Sequence, residues 1–452
     1  MRKKNYIFIT FIAMFLSMVS SSALAQRFSI EGGNGLVYAY YEDYNSTSGI
    51  NAVYVVYGTT NKVLRFDAPT TEPIEWFTYD DVINPLPSTQ TAHYSTIPLT
   101  HTDCGYVVMH AGRPYYIYVI DYNQYQLILN NATVEHTENA CDVVTLLIDG
   151  EGAEMHYYAF NSMMPYEVNR DILISYNTLT WNEEGQLYEE TLHEVTLKQF
   201  SNRYPVMAPL CNTSFTVSGD RFLKAWNTPR EVSSEVYETI AVEAVSKANQ
   251  TYREAENELD REPMGLGGSA PAEIEFIAHY TDAVNHLEWQ FSPDANFNRI
   301  THRYNDELLR YTFRENGTTY VRLVVSSINE QCIYECEPLV VTIGESLLEI
   351  PNAFSPGTID GKNDEWRVAF KSLIEFRCWI FNKQGVEMFH SDDPRIGWDG
   401  KYGGRLASPG VYYYVIEAVG ADGQKYKRSG HINLMRSKKN KEANTNNPSE
   451  ER

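Results

Sequence analysis

Few residues in this chain have the type and spacing that chemistry needs. Asp360, Asn363 and Asp364 fall in one glycine-containing loop. Oxygen ligands so spaced suit Ca²⁺, a hard cation, but the loop has no bidentate Glu at its twelfth position. The same residues suit an Asx-type turn whose side chains cap their own backbone. The turn is preferred, Ca²⁺ is kept as the weaker reading, and no other cofactor is expected. Asp392, Asp393 and Asp399 are further carboxylates. Glycosidase work would need two of them held at a fixed separation in a cleft, and an acidic chain supplies many accidental pairs.

Cysteine is the other reactive type: Cys104, Cys141, Cys211, Cys332, Cys336 and Cys378. In an exported chain such residues form disulfides. Cys332 and Cys336 are the expected local pair. A strand between them would hold them too far apart, so Ile333-Tyr334-Glu335 must turn to bring the Cα atoms within about 7 Å. Cys104–Cys141 is the second expectation. A metal site would need His or further Cys at ligand spacing, and none is near. The chain has no His-Glu-x-x-His, no Gly-x-Ser-x-Gly and no phosphate-cradling loop before a helix. The expected set of catalytic residues is empty, and the protein is read as a non-enzyme.

The elements around these residues are strands. Leu373 to Phe381 and Val411 to Val419 are rich in β-branched and aromatic residues and bounded by Gly, Pro, Asp and Asn. Pro409-Gly410 and Trp398-Asp399-Gly400 supply turns. Two other regions echo each other: Trp76 is followed by Tyr115 to Ile120, and Trp289 by Gly317 to Val325. A Trp in one strand and a Tyr-bearing strand later is how sandwiches fill the space between sheets. Tyr237 to Val245 alternates as a strand would; the following Lys247 to Glu262 is polar and rich in helix formers, so one helix across the whole stretch is the alternative. Pro263 to Pro271, with Gly265, Gly267 and Gly268, reads as a linker.

Composition bounds the partners. The net charge is −22, which excludes nucleic acid, whose phosphates need Lys and Arg, and suits a soluble extracellular protein. Tyr outnumbers Phe, 33 to 19, as half-buried strands and binding surfaces both allow. Arg2, Lys3 and Lys4, an apolar run from Ile7 to Val19, and Ala23-Leu24-Ala25 before Gln26 make a secretory signal peptide. No later stretch is long enough for a transmembrane span. The tail from Ser437 to Arg452 has little to bury and is expected to be disordered.

The last ninety or so residues carry a resemblance. In order they read Ile350-Pro351-Asn352-Ala353-Phe354-Ser355-Pro356, Asp360-Gly361-Lys362-Asn363-Asp364, Trp379 to Gly385, Gly397-Trp398-Asp399-Gly400, Pro409 to Ile416, and Gly430 to Leu434. This series resembles the gliding-motility-associated C-terminal domain, a sorting module of type IX secretion. The resemblance implies transport across the outer membrane to the cell surface. Two departures stand out. Gly357 to Gly361 is one residue longer than the family's usual loop, and a tail follows the last strand. The stretch from Pro271 to Gly344, with Phe313-Arg314-Glu315-Asn316-Gly317-Thr318-Thr319-Tyr320, resembles a PKD-type immunoglobulin-like domain.

The expected architecture is all-β: tandem immunoglobulin-like β-sandwiches ending in a β-sandwich sorting module with Phe354, Phe381, Trp398 and Tyr412 in its core. Its segments are 1–25 signal peptide, 27–130 sandwich, 131–205 β-rich domain, 206–262 β-rich or mixed segment, 263–271 linker, 272–346 PKD-like domain, 347–436 sorting module and 437–452 tail. The expected protein is an exported, non-enzymatic surface protein. Its module would engage outer-membrane secretion or attachment proteins, and its other domains an extracellular protein or glycan. The alternatives are an exported hydrolase or carbohydrate-binding protein, whose site would lie in 27–262, and an accessory component of the secretion or gliding apparatus.

Overall fold

Strands of this chain bury one parity of their residues. In Lys62–Asp67 the buried and half-buried residues alternate strictly, and Ile172, Ile174 and Tyr176 are buried along Ile172–Asn182. Successive side chains of a strand leave on opposite faces, so each such pattern builds one face of a two-layer core. A computed structural model describes residues 27–40, 48–135, 140–356 and 363–435. The expected signal peptide, the tail and Asp360 lie outside the described residues. Among the described residues no helix is long and apolar enough to cross a membrane.

The chain divides into two compact units, Met1–Leu179 with Glu190–Thr239, and Thr180–Glu189 with Ile240–Arg452. The first unit opens with a sandwich. One sheet has the order Phe28–Gly32, Lys62–Asp67, Tyr94–Pro98, Thr89–Gln90; the other runs Val37–Tyr40, Ala52–Val56, Arg113–Asp121, Cys104–His110, Ile74–Thr78. Trp76 lies fully buried in the core with Phe28, Phe66, Tyr106 and Ile117, and its indole N–H donates to Ser95 Oγ at 3.0 Å. Burying an indole needs such an acceptor. A second pair of sheets follows. Ile128–Glu135, Val143–Glu151 and Arg203–Met207 form one; Leu187–Leu197, Ile172–Asn182, Thr216–Gly219 and Arg230–Ser233 form the other. Cys104 keeps a free thiol whereas Cys141 is disulfide-bonded, so the expected Cys104–Cys141 pair is not formed. Burial on a central strand pushes the Cys104 thiol up to about 11.

The second unit holds a sandwich around Trp289. Its sheets are Ala244–Thr251, Ala272–Tyr280, Leu308–Phe313, and Leu266–Gly268, Leu339–Ile343, Gly317–Ser326, His286–Ser292, His302–Tyr304, with Ile333–Glu335 also on Gly317–Ser326. Three expectations are corrected here. First, the strand read at Tyr237 to Val245 starts instead at Ala244 and runs on through the helix-forming residues to Thr251, because it pairs residue by residue with Ala272–Tyr280; tertiary pairing overrides local propensity. Second, the linker is part of the sheet: Leu266–Gly268 pairs in parallel with Leu339–Ile343. Gly267 and Gly268 have positive φ, and a Cβ on either would strike backbone oxygen. Third, Cys332 is disulfide-bonded while Cys336 is free, its Sγ donating to Ala244 O at 3.2 Å. Ile333–Glu335 is a strand, not a turn, and four extended steps place the two cysteines about 13 Å apart, beyond disulfide reach.

Candidate functional site: the C-terminal module

The module is built on one five-stranded sheet, in the order Ala353–Phe354, Lys425–Leu434, Gly410–Gly420, Leu373–Phe381, Glu387–Ser391, with a two-stranded sheet of Leu347–Glu349 and Ala369–Lys371. Alternation decides what faces the core. Phe376, Cys378 and Ile380 point in from Leu373–Phe381, and Tyr412, Ile416 and Ala418 from Gly410–Gly420. Phe354, Trp398 and Tyr412 meet there, with ring centroids 5.3 Å apart for Phe354–Trp398 and 5.0 Å for Trp398–Tyr412. Phe381 does not join them. It follows Ile380, so the period of two turns it to the other face, where it is half-buried and pairs with Tyr413. Trp366 takes the place that Phe381 was expected to hold. It is buried, its backbone exchanges hydrogen bonds with Trp398 at 2.9 and 3.0 Å, and its indole donates to Pro351 O at 2.7 Å.

The carboxylates make turns. Asp393 accepts from the Arg395 amide at 2.9 Å and from the Arg395 guanidinium, which holds its carboxyl below the usual range. Burial pulls the Asp399 carboxyl up, but hydrogen bonds from Lys401 outweigh it and keep the carboxyl low. Asp392 lies 3.4 Å from His390. Each acid lies beside a basic residue two positions away, in the turns that follow Glu387–Ser391 and precede Lys401–Tyr402. Asn363 takes a positive φ, and its carbonyl accepts from Ser355 N at 2.8 Å. Among the described residues no group of three His, Cys, Asp or Glu is placed to hold a metal ion.

The outer face of the sheet carries an apolar stripe. Val411, Tyr413 and Val415 are exposed along one strand, and Trp379 and Phe381 are half-buried on the next, paired as Val415–Trp379 and Tyr413–Phe381. An antiparallel sheet with one face in water carries polar residues there. The stripe continues into a groove of about 710 Å³ lined by Met388, Tyr402, Arg405, Leu406, Val411 and Tyr413. Sequence reading missed this face. Its signal was present: apolar residues occupy both parities of Leu373–Phe381 and Gly410–Gly420. Charge also sets the module apart. Residues 348–434 contain eleven acidic and eleven basic residues, so the excess of acid lies elsewhere in the chain.

The module is stitched to the preceding sandwich. Asn257 Nδ2 donates to Val368 O at 2.7 Å and Pro394 O at 2.8 Å, and Leu259 N donates to Phe370 O at 2.8 Å. Ser269 Oγ donates to the buried Glu258 at 2.6 Å and accepts from Ser372 N at 2.8 Å.

No curated protein matches the chain. Residues 133–234 match a fibronectin type III domain, a stretch that runs across the boundary expected at 205. Residues 348–434 match the CHU_C type IX secretion signal domain, so the chain joins immunoglobulin-like sandwiches to a signal that implies export and association with the outer membrane or cell surface.

Proposed function

We propose that this chain is a non-enzymatic surface protein carried as type IX cargo. Its sandwiches, including a PKD-type domain around Trp289, present binding surfaces. Its C-terminal module engages the outer-membrane secretion or attachment apparatus. The observation that carries this reading is the match of residues 348–434 to a secretion signal domain. The apolar stripe from Val411 to Val415 supports it, because a contiguous exposed apolar patch marks an interaction surface.

Surface labelling of whole cells tests the proposal. A chain lacking residues 348–452 should stay in the periplasm; undiminished labelling would overturn the reading. Trp398→Ala empties a core site, at a cost of about 3–5 kcal/mol, and should also block export by unfolding the module. The triple change Val411→Thr, Tyr413→Ser and Val415→Thr leaves the core intact. Retention of that folded variant in the periplasm would assign engagement to the stripe, and normal display would place it elsewhere on the module.

A further inference from the structure

A second opening lies in the Trp289 sandwich, where edge strand Leu308–Phe313 of one sheet and edge strand His302–Tyr304 of the other leave a groove. It holds about 430 Å³, within the range of about 300–1,000 Å³ typical of small-molecule sites. Its wall is aromatic. The Tyr311 ring sits 4.9 Å from Phe291, 4.8 Å from Phe313 and 5.9 Å from His302. Phe291 and Phe313 are buried and back the wall, while Tyr311 is half-buried and His302 exposed. The rim is polar, formed by Thr312, Arg314, Glu315 and Asn316. No hydrogen bond or ion pair ties these four side chains to a described residue. Elsewhere in the same sandwich Arg303, Arg310 and Arg322 each ion-pair with a glutamate. The rim is nonetheless held in place, since Asn316 N donates to Ala421 O at 3.0 Å.

A ligand for this groove needs a flat apolar face for the rings and an edge that both donates and accepts. A pyranose has both. Its axial C–H bonds form a face that packs on the electron-rich face of an aromatic ring, and its hydroxyls can accept from a guanidinium and donate to a carboxylate. A wholly apolar ligand would strand Arg314 and Glu315 against it. An anionic ligand would meet Glu315 and the field of a chain with net charge −22. We propose that this groove binds a neutral oligosaccharide, stacked on Tyr311 and His302 and hydrogen-bonded by Arg314, Glu315 and Asn316. Such a site is independent of how the chain is exported.

Calorimetric titration of the full-length secreted protein with cellohexaose, maltohexaose, xylohexaose, mannohexaose and chitohexaose tests it, with an oligoalginate and an unstructured peptide as charged and proteinaceous comparators. At least one neutral hexaose should bind saturably. Arg314→Ala and Glu315→Ala should each weaken it about tenfold, the effect of losing one charge-assisted hydrogen bond, with unchanged melting. Tyr311→Ala should abolish binding. If that variant fails to fold, the two rim variants still decide, because no hydrogen bond or ion pair holds their side chains to a described residue. Absence of binding to every neutral hexaose, binding confined to the alginate or the peptide, or full affinity in an Arg314→Ala, Glu315→Ala double variant would each overturn the proposal.

Discussion

Each unit contains a seam between consecutive sandwiches, and the two seams are closed by different chemistry. In the first unit Arg170 and Asp220 form an ion pair with both side chains at 0% exposure, at 2.7 Å. Arg170 also donates to Ala153 O at 2.7 Å, and Tyr122 OH donates to Asp220 at 3.1 Å. The second Asp220 oxygen caps the short helix Arg221–Ala225 by accepting from Phe222 N and Leu223 N. Rings of the opening sandwich, Tyr38, Tyr57 and Tyr122, close over Phe222 and Trp226. The seam in the second unit also buries a carboxylate, Glu258, but its partner Arg253 is 27% exposed and the remaining bonds come from serine hydroxyls. A dry pair gains little over an apolar core when intact and costs much when halved. A carboxylate whose cation reaches water is screened, so its loss is milder.

That contrast can be broken directly. Arg170→Met strands Asp220 without a counter-charge and should cost about 3–5 kcal/mol, read as a lower urea midpoint of the first unit. Arg170→Met with Asp220→Asn keeps a capping oxygen and removes the buried charge, so much of the loss should return. A double variant no more stable than the single one would show that the pair is not what closes the seam. Glu258→Ala should cost less, about 1–3 kcal/mol, and should speed hydrogen exchange at the Ser372 amide while leaving the first unit unchanged. Ser372→Ala removes the acceptor of the 3.2 Å bond from Ala270 N and should cost about 1 kcal/mol; a loss matching Glu258→Ala would mean that the hydroxyls, not the charge, dominate this seam.

Mild acid should separate the units by the smallest margin. In the second unit Asp294 is held low by the Asn296 amide and Asp393 by Arg395. Asp399 and Asp422 are pulled up by burial, yet end low through hydrogen bonds from Lys401 and from Gln424 and Ser346. Depressed carboxyls stabilise above the unfolded value of about 3.9 and lose that contribution as pH falls through their folded values. In the first unit the low Asp81 is opposed by Asp103, which burial raises; a raised carboxyl gains stability as pH falls. Melting curves between pH 5 and pH 3 should therefore show the second unit weakening more, modestly because these groups face water. Parallel losses in both units would contradict this.

Strand chemistry, turns and the two buried tryptophans, Trp76 and Trp289, were legible in the chain itself, because alternation and Gly, Pro and Asp punctuation are local properties. So were the limits of the C-terminal module. The residues that meet at the seams were not. Arg170 and Asp220 lie 50 positions apart, and Ser269 and Ser372 103 apart, with nothing in either neighbourhood to announce a partner. Nor did Phe313-Arg314-Glu315-Asn316, read only as part of the PKD-like stretch, disclose a groove whose other wall comes from Phe291 and His302.

By itself the sequence determined the all-β class and the sorting module, since each rests on patterns within a few residues. Tertiary structure decided the rest. It turned Phe381 outward and Ile380 inward, because one step along a strand exchanges faces. It extended Ile333–Glu335 and so kept Cys332 from Cys336. It drew the glycine-rich stretch Leu266–Gly268 into a sheet, because a neighbouring strand offered its unpaired backbone groups the partners that buried amides and carbonyls require.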